Sequence, residues 1–485
     1  MHCVLECAEL VQVIYSYLGH PALAALAITC KGLGEPALDA IWEELRDFDR
    51  VLALFPRNLF KFRLARPIMP VDWDRPRLYA PRIKKLQLDW DQAEILQAIG
   101  PFCPSGLFPN LHSLACVKVW QDITPFRALF HPRLKVFSSF FPPTISNLSF
   151  LSALAVLCPQ LTGLHIILTG EESCPETGAV ISTLVLALEA LEYLELGIGI
   201  HAEELNLGLL PNLKALSLSR LPKKLEARSS PRLQALIIHS VDIVAVLKLV
   251  YSSVGLELIK ISLGLSPATT SLQMAELVRG LKRVASPMSL EILMLQPSDL
   301  NTVRPHVDVM TADALRELSF FCSLMFVRII WSFGPDLDDT TLELLTISWT
   351  RLKNLWLEHL QRGTNLTLKS FLALARNCPH LYNLTLEVDA REVPELPDVA
   401  PQRTLESMDI MLSPIQNATK VARYLSGIFP DVKCIRSGHS TPSFGILGDP
   451  LWYQVSEQLP EFAAVRKEER EKAQKRMGDG PRLVS

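Results

Sequence analysis

Residues 376–388 read RNCPHLYNLTLEV, and the reading of the whole chain turns on whether Cys378 and His380 form a chemical site or belong to scaffold. The answer lies in Leu381, Leu384 and Leu386, because their spacing, apolar-x-x-apolar-x-apolar, recurs along the sequence. Ile83/Leu86/Leu88, Leu161/Leu164/Ile166, Leu191/Leu194/Leu196, Leu213/Leu216/Leu218 and Leu233/Leu236/Ile238 fit it. So do Leu256/Ile259/Ile261, Leu290/Leu293/Leu295, Leu315/Leu318/Phe320, Leu352/Leu355/Leu357 and Leu405/Met408/Ile410, with weaker copies starting at Leu111, Leu134 and Val432. From Ile83 to Val432 there are thirteen steps, a mean period of roughly 27 residues. Cys378 and His380 therefore precede one rung of a ladder. Cys158 stands in the same place, in AVLCPQLTGL, so both thiols read as small apolar packing groups.

The second and third apolar positions of each triplet alternate with polar ones, which is the period-2 mark of a strand with one buried face. Proline introduces many of these strands, as in PRIKKL, PNLKAL and PHLYNL, where its missing N–H removes no needed donor. Helical patterns lie between them. Asn417 is placed to cap ATKVARYLSGIF, with Val421, Tyr424, Leu425 and Ile428 on one face. SLQMAELVRGLKRVA repeats the pattern with Leu277, Leu281 and Val284. One such unit has too little core to stand alone, so neighbours must stack.

These features resemble the leucine-rich repeat family over residues 83–437. The implied fold is α/β, a solenoid of parallel strands with helices on its convex side. The ninth repeat position, where such repeats often carry Asn or Cys, here holds residues such as Thr169, Val241, Asp389 and Ser413, which makes the turns irregular.

Composition narrows the partners. Of 485 residues, 49% are hydrophobic and 20% charged, enough to build a large core, and the net charge of -3 supplies no field to gather nucleic acid. The start, MHCVLECAELVQV, carries Glu6 and Glu9 and lacks the pattern of a secretory leader. Ten cysteines without C-x-x-C spacing suit buried thiols in a reducing compartment, so the expected location is cytoplasmic or nuclear. Apolar windows such as ISTLVLALEALEYLELGIGI are interrupted by Glu189, Glu192 and Glu195, which argues against a membrane span.

No cofactor, metal or catalytic set is proposed. Gly197-Ile198-Gly199 lacks the lysine and later glycine of a phosphate loop and reads as a turn. The acidic run at residues 336–339 directly precedes TTLELL and reads as helix capping.

Residues 1–46 depart from the repeat and read as a module of three short helices. Leu5, Val11, Ile14 and Leu18 form one stripe; Leu23, Leu26, Ala27 and Cys30 form a second. Pro36 suits the first turn of a third helix that carries Leu38, Ile41, Trp42 and Leu45. Residues 47–82, with Pro67, Pro70, Pro76 and Pro81 toward their end, read as a stiff extended linker. Residues 438–485 read as a cap helix with Leu451, Trp452, Val455 and Leu459 on one side, followed by a charged tail.

The first module resembles the F-box found in fungal proteins that also carry irregular leucine-rich repeats. The matching features are Ala8-Glu9-Leu10, the Ile14/Leu18 spacing, L-x-x-L-A-x-x-C-K at Leu23 to Lys31, and EPALDAIWEEL with Leu38 and Trp42. Ala8 stands where the family often has proline, and the Cys-Lys segment lacks the family's tryptophan. The resemblance implies a non-enzymatic adaptor of a Skp–cullin–F-box (SCF) ubiquitin ligase. Leu10, Ile14, Leu18, Leu23, Leu26 and Trp42 would then bind a Skp-type protein within a cullin complex. A target protein would bind strand residues alternating with the leucines: Tyr193, Glu195, His239, Glu317, Phe321, Trp356 and Glu358. The alternative is a repeat scaffold for protein binding with no tie to ubiquitin, in which the first module is a structural cap.

Overall fold

In the computed structural model, the described residues are 7–60, 64–89, 93–99, 106–170, 174–197, 204–206, 210–221, 224–226, 232–252, 257–266, 268–299, 310–331, 337–359, 363–395, 399–438 and 449–478. The chain divides into two units, Met1–Ser230 and Pro231–Ser485. Each is built on a parallel ladder of short strands, one from each repeat, with the leucine triplets stacked in register.

In the first unit the strands are β1 (Glu44–Leu45), β2 (Lys85–Leu88), β3 (Ser113–Val119), β4 (Val136–Phe141), β5 (Gly163–Leu168), β6 (Tyr193–Leu196), β7 (Glu204–Asn206), β8 (Ala215–Arg220) and β9 (Lys224–Glu226). The ladder runs β1-β2-β3-β4-β5-β6-β8, and β7 pairs only with β9. One row of side chains passes through Leu45, Leu86, Leu114, Phe137, Leu164, Leu194 and Leu216, each aligned with the next. All are buried.

The second unit continues the numbering with β10 (Ala235–Val241), β11 (Lys260–Leu265), β12 (Ile292–Pro297), β13 (Phe326–Trp331), β14 (Asn354–His359), β15 (Asn383–Leu386), β16 (Ser407–Asp409) and β17 (Cys434–Arg436). They pair in sequence order. Their shared row is Leu236, Ile261, Leu293, Val327, Leu355, Leu384, Met408 and Ile435. Burying each such side chain stabilises the stack by about 1.5–3 kcal/mol.

Helices return the chain from one strand to the next and pack on one another, as Ser271–Val284 does on Ile243–Ser252 and Leu368–Asn377 on Asp339–Ser348. Side-chain caps fix where several of them begin. Thr144, Thr270, Thr311, Asp338, Thr367 and Asn417 each accept a backbone N–H of the first turn. The faces expected of the 271–284 and 418–428 helices are the buried ones.

Where a ladder asparagine is missing, other polar groups secure the turns. Buried Asn147 donates to the carbonyls of Gln121 and Pro142 and accepts from the Ile123 N–H. Ser413 Oγ accepts from the Val388 N–H and donates to the Ile410 carbonyl.

Two rungs differ from expectation. Leu315/Leu318/Phe320 is not a strand: Thr311 caps a helix at Ala312–Arg316 and a 3-10 turn follows at Glu317–Phe320. The strand is β13, whose triplet is Leu324/Val327/Ile329, all buried. Spacings of three serve a helix as readily as a rung, and the cap decides for the helix. At β11 the buried triplet is Leu258/Ile261/Leu263, two residues past the expected start; Leu256 lies outside the described residues.

Residues 47–82 are not an extended linker. They form Asp49–Leu52, Pro70–Trp73, Asp74–Tyr79 and Ala80–Arg82 as short helical turns, with Phe48, Val51, Leu59 and Trp73 buried. Arg66 grips Asp72 through two bonds of 2.7 and 2.8 Å. Pro70 and Pro81 sit in the first turns of two of these pieces, where no N–H is required. The ladder accordingly begins at Glu44, inside the stretch assigned to the helical module, rather than at Ile83.

The final helix is Leu451–Gly478, with Trp452, Val455 and Leu459 buried beside Ala418–Ile428 and β17. Trp452 Nε1 donates to the Ser413 carbonyl at 2.8 Å.

Candidate partner-binding surfaces

The amino-terminal head consists of α1 (Ala8–Ser16), α2 (His20–Ala27) and α3 (Lys31–Glu43). Its core is Val11, Tyr15, Leu23 and Ala37, backed by Leu18, Leu26, Ala27, Ala40 and Ile41. Tyr15 donates its hydroxyl to the Leu33 carbonyl at 3.1 Å, and burial raises the phenol's pKa. Gly34 lets α3 cross α2 closely, since a Cβ there would lie 2.8 Å from the Ala27 carbonyl oxygen. α3 starts at Lys31, with its first turn closing on the Cys30 carbonyl, so Pro36 lies inside the helix rather than in its first turn.

Facing away from that core, α1 exposes Leu10, Val13, Ile14 and Tyr17 at 46%, 55%, 39% and 85%. Positions i, i+3, i+4 and i+7 make one continuous apolar stripe along a helix. Ile28, at the end of α2, is also exposed. Of the residues expected to dock an adaptor, Leu10 and Ile14 stand on this stripe, while Leu18 and Leu26 are half-buried against the head core. Leu23, only 4% exposed, is a core residue, so its docking role is withdrawn. Trp42 is half-buried and packs on Tyr79, ring centroids 4.8 Å apart. A stripe that joins Val11 to Ile14 hides Val13 and Tyr17, because Val11 faces the head core and Ile14 faces away from it.

The head is fastened to the first repeat. Arg82 bridges Glu35 and Asp39 of α3, Lys84 lies 3.4 Å from Glu43, and β1 pairs with β2. Between the two runs a groove of about 560 Å3, lined in part by Gln12, Tyr15, Asp39, Leu78 and Arg82.

In the first unit's ladder, Tyr193 and Glu195 lie on β6 and alternate with buried Leu194 and Leu196. Glu195 is 3.6 Å from His165 Nε2, and His165 Nδ1 is 2.9 Å from Ser138 Oγ, so three successive strands present a polar row. In the second unit, His239 is exposed on β10 and Trp356 is half-buried on β14. Trp356 stacks with Arg328 of the neighbouring strand, 4.5 Å from guanidinium carbon to ring centroid. The structure corrects three of the expected contact residues. Phe321 is fully buried, Glu358 is 5% exposed, and Glu317 lies in the 3-10 turn, paired with Lys282. Arg328 is hidden in the sequence, because the competing triplet Leu315/Leu318/Phe320 masks β13.

Cys378, Asp338 and Asp339 take structural roles. Cys378 is fully buried with Sγ 3.6 Å from the Trp349 carbonyl, and burial pushes its thiol up to about 12, far from a reactive thiolate. His380 is exposed. Cys116 and Cys158 are also buried, but Cys30, Cys322 and Cys434 are exposed, contrary to the expectation of buried thiols. Asp338 caps the 339–348 helix by accepting from the Thr341 N–H, and Asp339 accepts from Thr367 and Ser370. Asp336, Ile198 and Gly199 lie outside the described residues. Among the described residues no group of His, Cys, Asp and Glu is placed to hold a metal ion, and no helix is long and apolar enough to cross a membrane.

No protein-family model matches the chain, and no curated protein matches it. Solved structures do align with it. An internalin of Listeria monocytogenes aligns at 15% identity and a TM-score of 0.36, covering 74% of this chain and 88% of its own. The Rad7 and Elc1 complex of yeast aligns at 16% identity and 0.35, covering 91% and 92%. The leucine-rich repeat-containing protein LegL7 of Legionella pneumophila aligns at 11% and 0.28, covering 71% and 97%. Superpositions this loose say nothing about partners, and the solenoid assignment stands on the strand register itself.

Proposed function

We propose that this chain is a non-catalytic, substrate-recognition adaptor of an SCF-type ubiquitin ligase. The head docks a Skp-type protein, and the strand faces hold a target protein for the associated ligase. The observation that carries the reading is the exposed stripe of Leu10, Val13, Ile14 and Tyr17, which the head's own core leaves unused. An apolar helix face of this kind is suited to packing against a partner helix.

Co-expression with a Skp-type protein and affinity capture tests it. Ile14→Asp places an unpaired charge at the centre of the stripe and should lower affinity by at least about thirtyfold, the loss expected of an interface anchor. Capture undiminished by Ile14→Asp and by Leu10→Asp together would refute the assignment.

A second reading, that the head is a structural cap of a scaffold unrelated to ubiquitin, is favoured by the Arg82, Lys84 and β1 contacts that tie it to the first repeat. It predicts no adaptor capture by the unaltered chain.

A further inference from the structure

The open strand face of the second unit holds a cation in an unusual setting. Arg328 and Trp356 are aligned partners on β13 and β14, and the guanidinium lies over the indole at 4.5 Å. Phe326 tilts toward the same indole, centroids 6.3 Å apart. The arginine is half-buried, and its enclosed Nε–H finds no hydrogen-bond partner among the described residues. Burial pulls its pKa down, and the charge of Glu358 partly restores it.

A half-buried guanidinium whose Nε–H has no acceptor is held at a cost, and an anion arriving from solvent offsets it by pairing with the charge. The indole fixes the plane of the group, so little side-chain freedom remains to be lost when two N–H groups engage one carboxylate. We propose that the Arg328–Trp356 pair anchors the carboxylate of an aspartate or glutamate in an extended segment of a partner protein. The proposal rests on the reading of this face as a target surface, but not on the adaptor assignment.

Charge selects the carboxylate over a phosphate. Glu358 lies on the same strand face, two residues from Trp356, and would repel the second negative charge of a phosphoryl group more than a monoanion. The flanking Phe326 and Met294 are half-buried and apolar. In an extended ligand, side chains two residues apart share a face, so the acid should be accompanied by an apolar residue at that spacing.

The test uses the full chain, immobilised, and synthetic decapeptide pools with one central position fixed as Glu, Ala, Lys or phosphoserine. Glu-fixed peptides should be retained about tenfold better than Ala-fixed ones, with apolar residues enriched two positions away. Arg328→Gln should reduce Glu retention to the Ala level. Trp356→Leu keeps the cation but frees it, and should cost a smaller part of the preference. Unchanged thermal unfolding of both variants, and unchanged capture of the Skp-type protein, show that the chain remains folded and that the head is unaffected. Better retention of Lys or phosphoserine peptides, or a Glu preference that survives Arg328→Gln, would overturn the proposal. Loss of adaptor capture by the unaltered chain would overturn only the ligase reading.

Discussion

The head and the second-unit ladder use the same apolar residues with opposite economy. In the ladder, Leu293, Leu355 and Leu384 are all but fully covered, and the outward positions carry the half-buried Arg328 and Trp356. In the head, α1 covers Val11 and Tyr15 and leaves Leu10, Val13, Ile14 and Tyr17 open. A repeat unit always has neighbours on which to spend its leucines. A module of three short helices has two helical faces competing for one small core, and the loser remains on the surface.

This contrast is open to breakage. Leu355→Ala in the middle of the ladder should cost the most, about 2–5 kcal/mol, read by urea unfolding; a loss under 1 kcal/mol would mean the rungs are not close-packed. In the head, Gly34→Val forces a side chain against the Ala27 carbonyl and should cost about 1–3 kcal/mol, seen as early loss of helical signal on heating. Asn417→Ala removes the N–H acceptor at a helix start and should cost about 1 kcal/mol.

Asp72 provides a pH-dependent probe of residues 47–82. Its two bonds to Arg66, then its bond from the Met69 N–H, hold its carboxyl at about 2. A folded-state pKa below the unfolded value of about 3.9 gives stability that is complete above the unfolded value and disappears as pH falls toward 2. Asp72→Asn should remove that part of the acid sensitivity in melts between pH 5 and 2. The smallest effect sharpens the comparison most. Ile14→Asp should change stability by no more than about 0.5 kcal/mol, whereas Val11→Asp should unfold the head. Equal destabilisation by the two would show that both faces of α1 are core.

Much of the ladder was readable from spacing alone, because a triplet seen once is ambiguous but one repeated at near-constant intervals is not. The exceptions have local causes. Leu315/Leu318/Phe320 satisfied the triplet while Thr311 was starting a helix, which hid β13 and with it Arg328. Proline in residues 66–82 suggested extension, but Pro70 and Pro81 begin 3-10 turns. In the head, the helices could be counted but not oriented.

The sequence by itself determined that leucine triplets lie on one face of repeated strands, since alternation and period are properties of the chain's own order. It also determined two helix starts, through Asn417 and the acidic run ending at Asp339. Only the tertiary structure decided which stripe of α1 is core, that Trp42 meets Tyr79, and that Arg328 lies on Trp356. Those depend on which distant residues arrive alongside, and burial is settled by the neighbour as much as by the residue.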